Sequence, residues 1–302
     1  MAVRIGTNPI AWSNDDMPEL GGDTPLETCL SEARQAGFSG IELGNKFPRQ
    51  AAQLRPILER HNLSLISGWY SARLLERSAE EEIKAMSDHL NLLRDLEATV
   101  MVFAETARSI ASEKQTPLSQ RPRIQERDWP GFCRRLTMVA NYLTENGVTM
   151  AYHHHMGTAI ETAADIDRLM EETGPNVGLL FDTGHLTYAG ADPMTILKNY
   201  GRRINHVHCK DVRKETLLKM RREDSSFLNA VLNGVFTVPG DGSIDFAPIL
   251  AKLKSLKYKG WLVVEAEQDP AKAPPLAYAT KGYAYLSATA QTAGLTLKEI
   301  AG

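Results

Sequence analysis

Residues able to bind a metal ion or to move protons are concentrated at the ends of four apolar segments of the chain. Six of the eight histidines lie between residues 153 and 208, and several carboxylates accompany them. Imidazole and carboxylate groups without a thiolate cluster suit a borderline or hard divalent ion, such as manganese, cobalt, zinc, iron or magnesium. The pattern therefore predicts a metal site. The residues concerned are the run HHH at 153–155, Asp182 and His185, then His206, His208, Lys210 and Asp211, and finally Glu265 and Glu267.

The spacing within each segment separates metal ligands from neighbouring groups. In a strand, side chains two residues apart lie on the same face. This rule places His155 beside His153 and directs His154 to the opposite face, and an exchange of roles between His153 and His155 remains open. One ligand from each segment leaves positions on an octahedral ion for substrate oxygens. The predicted metal ligands are His153, Asp182, His208 and Glu265.

Three residues that share a face with these ligands are predicted to exchange protons with a substrate. They are His155, Lys210 and Glu267. A lysine two residues after His208 is well placed to hold or protonate a substrate oxygen. The alternative is a simple ion pair between Lys210 and Asp211. The sequence does not decide which group is the base and which is the acid.

The segments that must position these residues alternate between strand-like and helix-like patterns. Several are near-continuous apolar runs, which are typical of parallel strands buried on both faces. Helix start signals follow at Thr24, Ser78, Asp128, Thr162 and Asp192. Eight such units predict a (β/α)8 TIM barrel that forms one domain over residues 1–302. A doubly wound sheet is disfavoured because no G-x-G-x-x-G follows the first strand. The predicted strands are residues 4–12, 40–43, 63–69, 99–105, 149–155, 177–185, 204–211 and 260–267.

The barrel hypothesis brings the four clusters together, because the carboxyl ends of its strands form one face that carries the active site. Two long connections, residues 106–128 and 212–245, are expected to build or cover that site. Residues at the ends of the first four strands are weaker candidates for substrate contacts, and packing at the barrel rim explains them equally well. These candidates are Trp12, Glu42, Trp69 and Glu105.

Composition excludes several classes of partner. Apolar residues make up 43% and charged residues 24% of the chain, and the net charge is -3 without a basic block. Nucleic acid and anionic membranes are therefore not expected partners. The sequence predicts neither a signal segment nor a membrane span, and the three separated cysteines suit a reducing compartment. We expect a cytoplasmic protein with a small-molecule substrate, and the sequence leaves open whether it forms a homo-oligomer.

Several motifs, in this order, resemble the xylose isomerase-like superfamily of barrels: "FDTGH", "HVHCKD", "PGDGSIDF" and "GWLVVEAEQDP". The stretches "RIGTNPIAWSNDD", "GIELGNKFP" and "YHHHMGT" are similar to the inosose dehydratases within it. The resemblance implies that Asp182, His208 and Glu265 bind a metal and that His185 contacts the substrate or supports the site. The first ligand of the superfamily is commonly a glutamate, whereas this chain has His153.

The same resemblance implies a reaction: metal-dependent dehydration of 2-keto-myo-inositol (scyllo-inosose), a cyclic polyol ketone, to a trihydroxycyclohexane-1,2-dione in inositol catabolism. It also implies Mn²⁺ or Co²⁺ as the metal and a possible glutathione requirement, which no residue explains. The alternative is a sugar isomerase or ketose epimerase on the same fold. Epimerases commonly use two glutamates, and here Glu265 is matched only by a histidine on the fifth strand. A DNA-repair endonuclease is disfavoured by the net charge, and a non-catalytic sugar-binding barrel by the complete set of four ligands.

Overall fold

Eight parallel strands close into a barrel in the computed structural model, which describes residues 2–298. The barrel strands are β1 to β7 and β10; β8 and β9 form a separate antiparallel pair, and β11 pairs in parallel with the start of β1. The strands are β1 Ala2–Thr7, β2 Gly40–Leu43, β3 Ser64–Ala72, β4 Val100–Glu105, β5 Thr149–His153, β6 Val177–Asp182, β7 Ile204–Cys209, β8 Asp211–Val212, β9 Phe236–Thr237, β10 Trp261–Val264 and β11 Thr296–Leu297.

Helices connect the strands along the outside of the barrel, as in other (β/α)8 folds. Short 3-10 turns occupy Pro9–Ala11 and Leu118–Gln120. No helix among residues 2–298 combines the length and the apolar character that crossing a bilayer requires. The helices are α1 Leu26–Ala36, α2 Ala51–Arg60, α3 Ala79–Ala85, α4 Ser87–Asp95, α5 Trp129–Glu145, α6 Ala163–Glu172, α7 Thr183–Tyr188, α8 Pro193–Tyr200, α9 Lys214–Arg222, α10 Phe227–Leu232, α11 Phe246–Ser255 and α12 Pro275–Thr292.

The closure of the barrel confirms the predicted fold. Strand β1 pairs in parallel with β2 on one side and with β10 on the other, where Arg4 to Thr7 lie opposite Trp261 to Val264. All neighbouring pairs of barrel strands are parallel, which requires a crossover connection after each strand. The carboxyl ends of all eight strands therefore share one face.

Five predicted strands extend beyond the observed ones at their carboxyl ends, and at two of them, β1 and β6, a polar cap ends the strand. Strand β1 stops at Thr7, and the Asn8 side chain accepts the N–H of Ile10 at the start of a 3-10 turn. Strand β6 stops at Asp182, whose side chain accepts the N–H of His185 and so caps α7. A side-chain acceptor at such a position favours a helix start over continued strand pairing.

The helix start signals are confirmed at two capping boxes and wrong at a third. Ser78 and Thr162 both form the reciprocal hydrogen bonds of a capping box. At the first predicted box, α1 begins at Leu26 and Pro25 occupies the cap position, so Thr24 makes no capping bond.

Apolar side chains form a main core, a smaller separate cluster and two groups of only three or four residues. The main core lies between the strands and the surrounding helices. The smaller cluster, which we call the satellite core, belongs largely to the long connection 212–245 and packs against the strand ends. Its buried members are Met17, Met156, Tyr188, Val212, Leu217, Met220, Phe227, Leu228, Ala230, Val231, Val235 and Phe236.

Candidate active site

A cavity of about 400 Å³ opens at the carboxyl ends of the barrel strands. Its wall includes His153, His155, His208, Glu265 and Glu267, as the barrel hypothesis predicts. This volume lies within the range of sites for small molecules. The clustered residues and the cavity therefore form one candidate site.

The four predicted metal ligands are buried, and one donor atom of each lies within 4.8 Å of the others. The Oδ2 atom of Asp182 is 3.5 Å from both His153 Nε2 and His208 Nδ1, and His208 Nδ1 is 2.7 Å from Glu265 Oε2. Despite these short distances, Asp182 Oδ2, His208 Nδ1 and Glu265 Oε2 form no aligned hydrogen bond. Buried polar atoms without partners are costly, and a shared cation would satisfy them together. This donor set is compatible with a divalent metal ion.

Glu42 lies on the cavity wall, but its carboxylate is already occupied. It accepts hydrogen bonds from Asn8 Nδ2 at 2.7 Å, Ser67 Oγ at 2.5 Å and His206 Nε2 at 2.8 Å. His208 Nε2 lies 3.1 Å from its second oxygen. Although burial opposes ionisation, His208 and His206 hold the pKa of Glu42 well below its usual value. The predicted substrate contact is therefore not favoured, because Glu42 instead orients His208 so that Nδ1 faces the other donors.

Lys210 is completely buried beneath the cavity rather than on its wall. Its Nζ lies 2.7 Å from Glu267 Oε1, 3.1 Å from Glu265 Oε2 and 3.5 Å from Asp182 Oδ2. Burial alone would lower the pKa of Lys210, but these three carboxylates raise it above its usual value. The predicted direct exchange of protons with a substrate conflicts with this position.

The alternative ion pair between Lys210 and Asp211 is also not formed. The Asp211 carboxylate accepts the backbone N–H groups of Val212, Gly240, Gly242 and Ile244. Asp211 therefore fixes the turn in the long connection 212–245 against the end of β7.

A second group of possible metal ligands consists of His155, His185 and Glu267. The Lys210 ammonium already lies beside this group, because its Nζ is 3.0 Å from His185 Nε2.

His155 has a free imidazole nitrogen directed at the cavity side of the site. Its Nδ1 lies 2.8 Å from the carbonyl oxygen of Met156, which can only accept, so Nδ1 carries the proton. Burial, together with the nearby His185 and His153, lowers the pKa of His155 well below its usual value. A neutral imidazole with an unprotonated Nε2 is suited to accept a proton.

His185 lies behind His155, with ring centroids 4.1 Å apart, and it is not part of the cavity wall. Phe227 packs against both imidazoles, and Phe236 packs against His185. These phenylalanines belong to the satellite core, so the long connection shields the histidines from water. Of the two roles that the resemblance implies for His185, these contacts with Lys210 and His155 favour support of the site over contact with the substrate.

The aromatic and acidic candidates from the first four strands divide into two groups. Trp69 lines the cavity and makes edge contacts with His153 and His155 at centroid distances of 5.4 and 5.7 Å. Trp12 is buried outside the cavity, where its Nε1 donates to Glu32 at 2.6 Å. Glu105 is also buried outside it and accepts the N–H groups of Ala107 and Leu75. The structure therefore does not favour the predicted substrate contacts of Trp12 and Glu105, because neither side chain lines the cavity.

Two aspartates on the cavity wall were not predicted. Asp15 and Asp16 follow Trp12 in the connection between β1 and α1. The buried Asn14 fixes this connection, because its Oδ1 accepts the N–H groups of Asp16 and Met17, both at 2.9 Å. The sequence signal that could have identified them is a pair of adjacent carboxylates shortly after the first predicted strand, residues 4–12.

Comparison with known proteins places the chain in a family. The family model described as xylose isomerase-like TIM barrel matches residues 30–289. The chain belongs to this family. Among solved xylose isomerase-like structures, L-ribulose 3-epimerase superposes with a TM-score of 0.66 at 20% identity, covering 97% of this chain and 96% of that one. The probable 3-DHS dehydratase AsbF from Bacillus anthracis gives 0.68 at 14% identity, covering 94% and 99%. These two likenesses concern the fold.

Two relatives with higher identity span nearly the whole chain. The rhizopine catabolism protein MocC of Rhizobium meliloti is 52% identical over 98% of this chain and 91% of its own length. The inosose dehydratase of Geobacillus thermodenitrificans is 47% identical over 95% of this chain and 97% of its own length. The family assignment agrees with the position of the cavity at the carboxyl face of the barrel.

Proposed function

We propose that this protein is an inosose dehydratase, which removes water from 2-keto-myo-inositol to give a deoxy diketone in inositol catabolism. The observation that carries this proposal is near-full-length similarity to proteins named inosose dehydratase, at 44–47% identity over about 95% of the chain. The converging donors beside a cavity of suitable size support the same reaction. A dehydratase needs one group to take a proton from carbon and another to assist the loss of hydroxide.

The proposed metal ligands are His153, Asp182, His208 and Glu265, with Mn²⁺ or Co²⁺ as the ion. Nitrogen and oxygen donors without sulfur suit these metals. When bound, such an ion would polarise the ketone of the substrate and make the adjacent proton more acidic. Glu42 would hold His208 in the tautomer that leaves Nδ1 free for the ion.

We assign His155 as the base that removes this proton, because its unprotonated Nε2 faces the cavity and Phe227 shields its ring. Glu267 lines the cavity and is paired with Lys210 through Oε1, and its Oε2 accepts no hydrogen bond among residues 2–298. We propose that Oε2 accepts a substrate hydroxyl. Lys210 then acts as a positioning residue, since its ammonium orients Glu267 and Glu265 without contacting substrate.

The test is a proton NMR time course with scyllo-inosose and Mn²⁺, with and without a chelator. Appearance of the methylene signals of the product, stopped by the chelator, is expected. Asp182→Asn and His208→Ala should lose both metal and activity, whereas Asp23→Asn, an exposed control, should lose neither. Conversion of ketohexoses without any methylene product would instead favour an epimerase.

The assay should also vary the substrate and the presence of glutathione. Because the relative at 52% identity is named for rhizopine catabolism, intermediates of that catabolism belong in the substrate panel beside scyllo-inosose. Glutathione should be included and omitted in parallel. All three cysteines, Cys29, Cys133 and Cys209, are buried, so they offer a thiol cofactor no exposed partner.

A further inference from the structure

Asp16 lies on the wall of the same cavity as the proposed base, His155. On the basis of the proposed function, we propose that Asp16 is the acid that donates a proton to the departing hydroxyl group. The established similarities assign no role to this residue, and three structural observations support the assignment.

The first observation is that the backbone around Asp16 is held on both sides. Trp12, Asn14 and Met17 are all buried, with exposed fractions of 1%, 2% and 1%. Met17 belongs to the satellite core, and Asn14 accepts the backbone N–H of Asp16 itself. Asp16 is half-buried and lines the cavity between these anchors. Its carboxyl group is therefore presented to a bound substrate by a fixed segment, as a catalytic group must be.

The second observation concerns the relation between Asp16 and His155. Asp16 follows β1 and His155 follows β5, and these two strands lie four positions apart in either direction around the barrel. Both residues line the same cavity. The cavity that would receive a substrate therefore offers both an imidazole that accepts protons and a carboxyl group that can donate one.

The third observation is that the Asp16 carboxyl group is free and its surroundings favour protonation. Its oxygens accept no hydrogen bond from any group among residues 2–298, whereas neighbouring Asp15 accepts the N–H of Asn45. Burial, with the negative charges of Glu267 and Asp15, raises the pKa of Asp16 to about 6, although Lys210 opposes this shift. An acid with a pKa near the working pH can both donate a proton and regain one.

The proposed step balances in protons and electrons. His155 takes the proton from the carbon beside the ketone, and the electrons of that C–H bond form the new C=C bond. The C–O bond to the neighbouring hydroxyl breaks, and the hydroxyl leaves as water with the proton of Asp16. The carboxylate of Asp16 and the imidazolium of His155 then return to their starting states by exchange with solvent.

The experiment separates the two halves of this step in the full-length protein. In D₂O with Mn²⁺, proton NMR follows both exchange of the α-proton of scyllo-inosose and formation of product. For Asp16→Asn we expect elimination to fall by about 10²- to 10⁴-fold, the usual contribution of a general acid. Exchange of the α-proton and the amount of bound Mn²⁺ should stay at wild-type levels. Asp23→Asn, an exposed substitution of the same type, should leave both rates unchanged.

A second measurement tests the proton donation itself. In a substrate analogue with fluoride in place of the departing hydroxyl, the leaving group depends much less on protonation, so Asp16→Asn should lose far less activity. The proposal is overturned by wild-type elimination in Asp16→Asn, by equal loss of exchange and elimination, or by loss of bound Mn²⁺. If the wild-type protein forms no product from scyllo-inosose, the proposed function itself fails and this assignment falls with it.

Discussion

Replacing the buried Lys210 with methionine should destabilise the metal-free protein far more than the same substitution at any lysine on its surface. The methionine keeps most of the apolar stem, which packs closely over Gly184, and removes only the ammonium group. Three buried carboxylates, those of Asp182, Glu265 and Glu267, then lose their shared cation. The change therefore isolates the electrostatic role of Lys210.

The size of the effect follows from the burial of the partners. Removing one partner of a buried ion pair costs about 3–5 kcal/mol, because it leaves an uncompensated buried charge. All three carboxylates lie within 3.5 Å of the ammonium and are nearly inaccessible to solvent, so little water can replace it. We therefore expect the free energy of unfolding of Lys210→Met to fall by about 3–5 kcal/mol when a chelator is present.

The assay is urea unfolding, followed by circular dichroism, with chelator and with saturating Mn²⁺. The ion should restore part of the lost stability in Lys210→Met, because its charge faces two of the same carboxylates. Turnover should fall, since Glu267 loses its orientation, while metal content should persist. Lys259→Met, at an exposed position, provides the matched control. Equal stability of Lys210→Met and Lys259→Met in chelator would refute the reasoning, as would loss of the metal from Lys210→Met.

Three further predictions test other parts of the site. Glu42→Gln should weaken Mn²⁺ binding by about 10- to 100-fold in calorimetric titrations without changing its stoichiometry, because His208 loses the carboxylate that fixes its tautomer; unchanged affinity would contradict this role. Asp211→Ala should make the connection 212–245 more sensitive to limited proteolysis, because four backbone N–H groups lose their acceptor; an unchanged cleavage pattern would argue against it. Burial raises the pKa of Glu105 to about 7 from 4.5, so its ionisation disfavours the folded state as pH rises through this interval. The stability of the wild-type protein relative to Glu105→Gln should therefore decrease from pH 5 to pH 8, and parallel pH profiles would exclude this contribution.

The sequence predicted the barrel and the four ligand clusters because both depend on rules that hold along whole strands. Parallel strands joined by helices must share a carboxyl end, so His153, Asp182, His208 and Glu265 could be placed together without knowing a single contact. The same rules do not locate a residue beyond the end of a strand. Trp12 illustrates this limit, because a 3-10 turn after β1 redirects the chain and buries the indole outside the cavity.

The direction in which each side chain of a barrel strand points is a second feature that the sequence does not predict. Every residue of β4 is buried, on either face, so apolar character does not reveal which side chains point inward. Glu105 was a candidate for the cavity because it ends its strand, yet its carboxylate accepts backbone N–H groups outside the cavity. Lys210 shares the expected face with His208, but whether its long side chain reaches substrate or carboxylates depends on contacts with Asp182 and Glu267 from distant segments. Such contacts become visible only in the assembled structure.

The satellite core has a consequence for redesigning the substrate range of this protein. It joins Met17, next to Asp16, to Phe227 and Phe236, which come from a connection more than two hundred residues later. A chimera that exchanged residues 212–245 alone would place a foreign apolar surface beneath Met17 and shift the adjacent carboxyl group. Grafts between related barrels should therefore transfer residues 8–24 together with 212–245, as a single exchangeable unit mounted on an otherwise unchanged barrel.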